Sequence, residues 1–305
     1  MGEQPQESLA LPPPRDAALL VVALAGVSAS GPIMAATAAP ALAIAFWRNL
    51  FGAGATSLAA VRRWRQFAAV DPRTWRVAVL AGGLLALHFG TWVPSLGFTS
   101  VASATALVST QAIFSALYAT TLGRRLPRAA WFGMVLAVVG TALIAGADLG
   151  TSTRALAGDA LAVAGGAAAA GYVTAGARAR RTMSAAAYTA VCYSVCSVGL
   201  LGACLIGRLP LGGYPARAWV LIVAVTVSAQ ILGHTLINVV LRSASATFVG
   251  LAILIETPGA AVIAAVWLHQ TPQIWAVPGL VLLLCGLVLT VRAKAPEPLS
   301  PADVD

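Results

Sequence analysis

Charge is scarce in this sequence. Asp, Glu, Lys and Arg make up 10% of the 305 residues and hydrophobic residues 59%, where soluble domains carry roughly 25% charged residues. That balance excludes the pair of water-soluble domains the length would otherwise suggest. The motifs of several enzyme classes are missing as well. There is no Gly-Lys-Ser/Thr phosphate loop, no histidine is followed by Glu as a His-Glu-x-x-His metalloprotease requires, and Gly26-Val27-Ser28-Ala29 does not supply the Gly-x-Ser-Gly of a membrane serine protease. The four cysteines, Cys192, Cys196, Cys204 and Cys285, all fall in apolar runs without a Cys-x-x-Cys pair or Cys/His ligand spacing. They read as free thiols, and neither a metal nor a cofactor is expected. The net charge of +9 does not point to nucleic acid, because almost every arginine stands at the end of an apolar run, where it marks topology.

What the sequence does have is apolar runs long enough to cross a bilayer. Ten can be drawn, over 17–36, 41–61, 76–96, 101–123, 129–147, 157–177, 187–207, 218–241, 244–267 and 273–291. They do not alternate as barrel strands would, and backbone groups in lipid must be paired internally, so the fold class is all-α integral membrane with ten transmembrane helices. Residues 1–16 and 293–305 read as disordered tails, and the loops leave no room for a soluble domain. With ten crossings, fifteen Arg and Lys residues, from Arg15 to Lys294, fall on one side. Three, Arg154, Arg208 and Arg217, fall on the other, and Arg48 is left inside the second span. By the positive-inside rule both termini are cytoplasmic, and the cell membrane is the expected location.

The halves resemble each other. The stretches from Ser103 and from Ser245 both open Ser-Ala-Thr, have a Pro in the following loop (Pro127, Pro272), a Trp soon after (Trp131, Trp275) and Gly pairs seven apart (Gly133 and Gly140; Gly279 and Gly286). Each half, 17–147 and 157–292, holds five spans. An odd number forces the second copy to run in the opposite sense, the inverted-repeat plan of many secondary transporters. Ala45-Phe46-Trp47-Arg48, the two Ser-Ala-Thr openings, Glu256-Thr257-Pro258 and the paired glycines resemble the EamA-type drug/metabolite transporter superfamily over about residues 17 to 292. The resemblance implies a carrier exporting amino acids, metabolites or drugs. The Gly-Glu common in that family near the ends of spans four and nine is replaced here by Gly123-Arg124 and His269-Gln270, so no role carries over from it.

Polar groups in the spans are the candidate site. An ion at mid-helix costs about 2.5–3.5 kcal/mol on insertion scales, and Arg48 and Glu256 stand about 12 and 16 Å from the same surface at 1.5 Å per residue. They read either as substrate or coupling-ion groups or as a structural pair. Gln230, His234 and Asn238 lie at i, i+4 and i+8 on span eight, and His88, Thr91 and Trp92 share a face of span three. These two faces read as pathway walls, with helix packing the competing reading. Gln111 aligns with Glu256 across the repeat. The small-residue run 164–171 reads as a close-packing surface, and Asp159 as the N-cap of span six. The function expected is alternating-access transport of a small solute, with a proton or sodium as coupling partner. An uncoupled facilitator or channel-like permease is the alternative, and an intramembrane enzyme the remaining one.

Overall fold

The computed structural model describes residues 11–61, 70–99, 101–124, 126–145, 152–269 and 276–293, and every regular element among them is a helix. The tails 1–10 and 294–305 lie outside the described residues, as do Arg62, Arg63, Arg65, Arg125, Thr151, Gln270, Pro272, Trp275 and Lys294. Ten traverses follow one another: α1 (Pro14–Ala35), α2 (Ala41–Val61), α3 (Pro72–Ser95), α4 (Val101–Val108 and Gln111–Thr121), α5 (Arg128–Ala145), α6 (Thr153–Ala179), α7 (Ala185–Ile206), α8 (Ala216–Val240), α9 (Ala246–Leu268) and α10 (Ala276–Arg292). Six of them, α1, α3, α6, α7, α8 and α9, are by themselves long and apolar enough to cross a membrane, and α5 and α10 contain shorter apolar helices.

The helices start where their caps dictate. Asp71 caps α3 by accepting from the amides of Arg73 and Thr74 at 2.9 and 3.0 Å. Hydrogen bonds from Thr74 hold its carboxyl below the ordinary aspartate range. Ser184 and Ser245 cap α7 and α9 in the same way. On α6 the sequence reading is corrected: Ser152, not Asp159, is the cap, its hydroxyl accepting from Ala155 N at 3.1 Å. The helix therefore begins at Thr153 rather than 157. Asp159 lies inside it.

The surface is inverted relative to a soluble protein. Leu58, Val139, Val198, Ile206 and Val266 are exposed, while Arg48, Asn49, Gln230 and Asn238 are completely buried. Lipid around the bundle accounts for the first set, and hydrogen bonding inside it must account for the second.

The paired glycines mark where the halves meet. A Cβ on Gly133 would stand 2.7 Å from Gly286 O, and one on Gly140 would stand 2.5 Å from Gly279 O, so α5 and α10 touch backbone to backbone. The earlier glycine of one helix meets the later glycine of the other, which means the two helices run antiparallel. Similarly, α6 packs along α3 and α4. A Cβ on Gly165 would sit 3.0 Å from Trp92 Cβ, and one on Gly166 would sit 2.6 Å from Val108 O. The small-residue run brings α3 and α4 close to α6 and so places the polar groups described next.

Candidate functional site

Three traverses are broken in mid-course: α1 at Ala29, α4 at Ser109-Thr110 and α9 at Leu254-Ile255. The breaks in α4 and α9 correspond, because Gln111 and Glu256 each open the second helical segment. The breaks also touch. Ser109 Oγ lies 3.2 Å from Thr257 Oγ1, and since the Ser109 hydroxyl already donates to Thr105 O at 2.7 Å, Thr257 is the donor between them. Glu256 thus sits in the first turn of a helix, where unpaired amides favour negative charge.

Beside these breaks is a cavity of about 30 Å³, room for about one water. Among its lining residues are Val27, His88, Trp92, Ser109, Gln111, Tyr172, His234 and Glu256. Five sequence candidates therefore come together here: His88, Trp92, Gln111, His234 and Glu256. The rings interlock. His88 stacks on Trp92 at 5.6 Å, and His234 stands edge-on to His88 and Tyr172, each at 6.4 Å. His88 Nδ1 is 3.0 Å from Gly165 O. A carbonyl only accepts, so Nδ1 carries the proton and Nε2 is the acceptor of the neutral ring. Trp92 Nε1 has no partner among the described residues, and no hydrogen bond to the Glu256 carboxylate occurs among them.

The remaining candidates lie elsewhere. Arg48 does not pair with Glu256. Its Nε and Nη2 both donate to Gln230 Oε1 at 3.1 and 2.9 Å, its Nη1 to Ser30 Oγ at 3.0 Å and more weakly to Met34 Sδ at 3.5 Å, and the guanidinium lies 4.4 Å over the Phe89 ring. Gln230 Nε2 in turn donates to Asn49 Oδ1 at 2.9 Å. Gln230, expected on a pathway wall, is instead one member of this α1–α2–α8 network. Asn238 is also turned off the cavity. Its Nδ2 donates to Tyr172 OH at 2.5 Å and to His234 O at 2.7 Å, so it positions a lining tyrosine. Thr91 donates to its own helix at Leu87 O and packs where α3 meets α6. On α8, where Thr226–Thr235 is a π-helix, Gln230, His234 and Asn238 reach three different neighbours, Arg48, the cavity and Tyr172.

Tyr172, Asn49 and the π segment are not among the sequence candidates. Tyr172 had one visible signal, a large polar ring directly after the small-residue run 164–171.

The two ends of the bundle differ. At one end Trp47 Nε1 donates to Leu211 O at 2.9 Å, Trp47 packs edge-on to Trp219 at 5.1 Å, and Tyr214 packs against Trp219 at 5.3 Å. Burial here pushes the Tyr214 phenol above its ordinary range. Arg154 Nη2 bonds Gly97 O at 2.9 Å at this same end. These contacts tie the connections together at this end. At the opposite end a vestibule of about 800 Å³ lies among α3, α4, α6 and the α8–α9 connection. Its wall residue Ser115 is one helical turn from Gln111, which lines the small cavity.

The match to known proteins covers nearly the whole chain. The model of the EamA-like transporter family matches residues 16–146 and 156–292, one copy per half. No curated protein matches. Among solved structures, one titled only "Crystal structure of protein" is similar with a TM-score of 0.72 and 17% identity, over 90% of this chain and 96% of that one. At that identity the likeness shows the shared fold alone.

Proposed function

The chain belongs to the EamA-like transporter family, and from that premise we propose that it is a secondary carrier that exports small metabolites, amino acids or drugs by alternating access, with Glu256 as the group coupling transport to a proton. Membership of the family makes it a multi-pass membrane transporter of small solutes. The finer reading is carried by one observation: Glu256 faces a water-sized cavity at a helix break with no hydrogen-bond partner among the described residues, while Arg48 is satisfied by neutral groups.

A carboxyl freed from a fixed partner can hold a proton when the cavity is dry and release it when water enters, which a permanent ion pair does not allow. The α4 and α9 breaks give it a second environment, since segments on either side of a break can tilt separately. Support for alternating access comes from the asymmetry of the ends, one with its connections tied together by Trp47, Leu211 and Trp219, the other holding a vestibule. The vestibule is bordered by Arg124, Arg178, Arg181 and Arg242, all assigned to the cytoplasm by the positive-inside rule. The chain sits in the cell membrane with both termini in the cytoplasm.

The test is solute movement in proteoliposomes, screened over amino acids, nucleosides, sugars and cationic dyes with and without a pH gradient. Accumulation that needs the gradient supports the coupled carrier. Equilibration that ignores the gradient leaves the uncoupled facilitator, and no movement of any solute rejects both.

A further inference from the structure

The vestibule has a chemistry of its own. Four arginines border it from three separate places: Arg124 after α4, Arg178 and Arg181 at the end of α6, and Arg242 after α8. Among the described residues no Asp or Glu lines it. Asp16 accepts from the lining residue Ser243 at 2.5 Å. Arg178, Arg181 and Arg242 make no ion pair among the described residues.

Topology alone requires positive charge on this side of the membrane, and it is indifferent to where on that side the charge lies. Convergence on one cavity is a separate fact, and it raises the local concentration of anions. A second observation points the same way. Ser115 and Thr247 line the vestibule, are 1% and 0% exposed, and carry hydroxyl oxygens with no partner among the described residues. Unpartnered hydroxyls in the wall of a basic cavity are donors in want of an acceptor. The facing wall is apolar, formed by Val77 and Leu84 of α3.

We propose that this vestibule is an entry site for small organic anions, a carboxylate or phosphate group held by the arginines and hydroxyls while an apolar body lies against α3. The inference rests on the carrier reading above and assigns the substrate class. Arginine suits the task because its planar donors match the two oxygens of a carboxylate or phosphate.

The test is the thermal unfolding midpoint of the purified full-length protein at constant ionic strength. The anionic probes are 4-hydroxybenzoate, succinate and inorganic phosphate. Methyl 4-hydroxybenzoate and tyramine serve as neutral and cationic counterparts. At least one anion raises the midpoint and the counterparts do not. The double variant Arg178→Gln, Arg242→Gln weakens the apparent anion affinity about tenfold or more, and Arg178→Lys with Arg242→Lys, which keeps the topological charge, retains part of it. No anion-dependent shift, or a shift unchanged in the Gln variant, overturns the proposal. Repeating the measurement in nanodiscs with and without phosphatidylglycerol separates the sources of the anionic group. Stabilisation by that lipid alone, lost in the Gln variant, makes this a headgroup site and also overturns the proposal. Gradient-driven transport of a cation or neutral solute that persists in the Gln variant leaves the carrier reading standing while this inference fails.

Discussion

Arg48 and Gln230 are joined by two hydrogen bonds to a single acceptor: Nε at 3.1 Å and Nη2 at 2.9 Å both reach Gln230 Oε1. A buried cation is thereby accommodated without a carboxylate, and Glu256 is left free of it. This separation of the two intramembrane charges is the basis of the predictions that concern them.

Gln230→Met keeps side-chain length and removes the acceptor. It strands part of the guanidinium and costs about 1.5–3 kcal/mol, read as a lowered unfolding midpoint in detergent. Glu256→Gln leaves the midpoint near that of the unaltered protein. The reverse order of stabilities would mean that Arg48 depends on Glu256 after all.

Gly286→Val places a branched side chain where a Cβ would already lie 2.5 Å from Gly133 O and from Ala137 N. Backbone cannot yield as a flexible side chain can, so α5 and α10 must separate, at a cost of about 1–3 kcal/mol or more. Gly83→Ala, where a Cβ meets nothing within 4 Å, is tolerated. Comparing the folded yields of the two variants by size-exclusion chromatography checks this, and equal yields would remove the close contact from the account.

Much of this was legible in the sequence, and the limits have physical causes. The apolar run 41–61 coincides with α2, Ala41–Val61, because apolar length and flanking breaks fix a membrane helix closely. The seven-residue glycine spacing was visible because close backbone contact tolerates nothing larger at those positions. Arg48 and Glu256 were matched by depth, but depth is one coordinate. Two residues at one level can lie on different sides of a bundle, and here they do not touch. On α8 the helical period puts Gln230, His234 and Asn238 on one face, but one face of a packed helix meets several neighbours, and the three reach Arg48, the cavity and Tyr172. Asp159 suits a helix start by its charge, but the cap is Ser152, which lies before the apolar run begins.

The asymmetry of the two ends predicts accessibility. In a variant without Cys192, Cys196, Cys204 and Cys285, a cysteine at Thr174 or Ala177 in the vestibule reacts with membrane-impermeant thiol reagents from the cytoplasmic face. A cysteine at Val198, exposed on the apolar outside of the bundle, does not. Labelling of position 174 from the outer face only would reverse the assignment of the open end.

Topology has its own check. Reporter fusions following Arg292 report cytoplasm and those at Ser152 the outside, as the distribution of arginines requires. A translocated C-terminus contradicts the ten-span arrangement.

The central claim, that Glu256 couples transport to a proton, is tested most directly in proteoliposomes loaded with a transported solute, comparing the native chain with Glu256→Gln under an imposed pH gradient and without one. The account predicts that the variant folds, still exchanges labelled for unlabelled solute at equilibrium, and no longer concentrates solute when the gradient is applied. Gradient-driven accumulation by Glu256→Gln at the native level would contradict it.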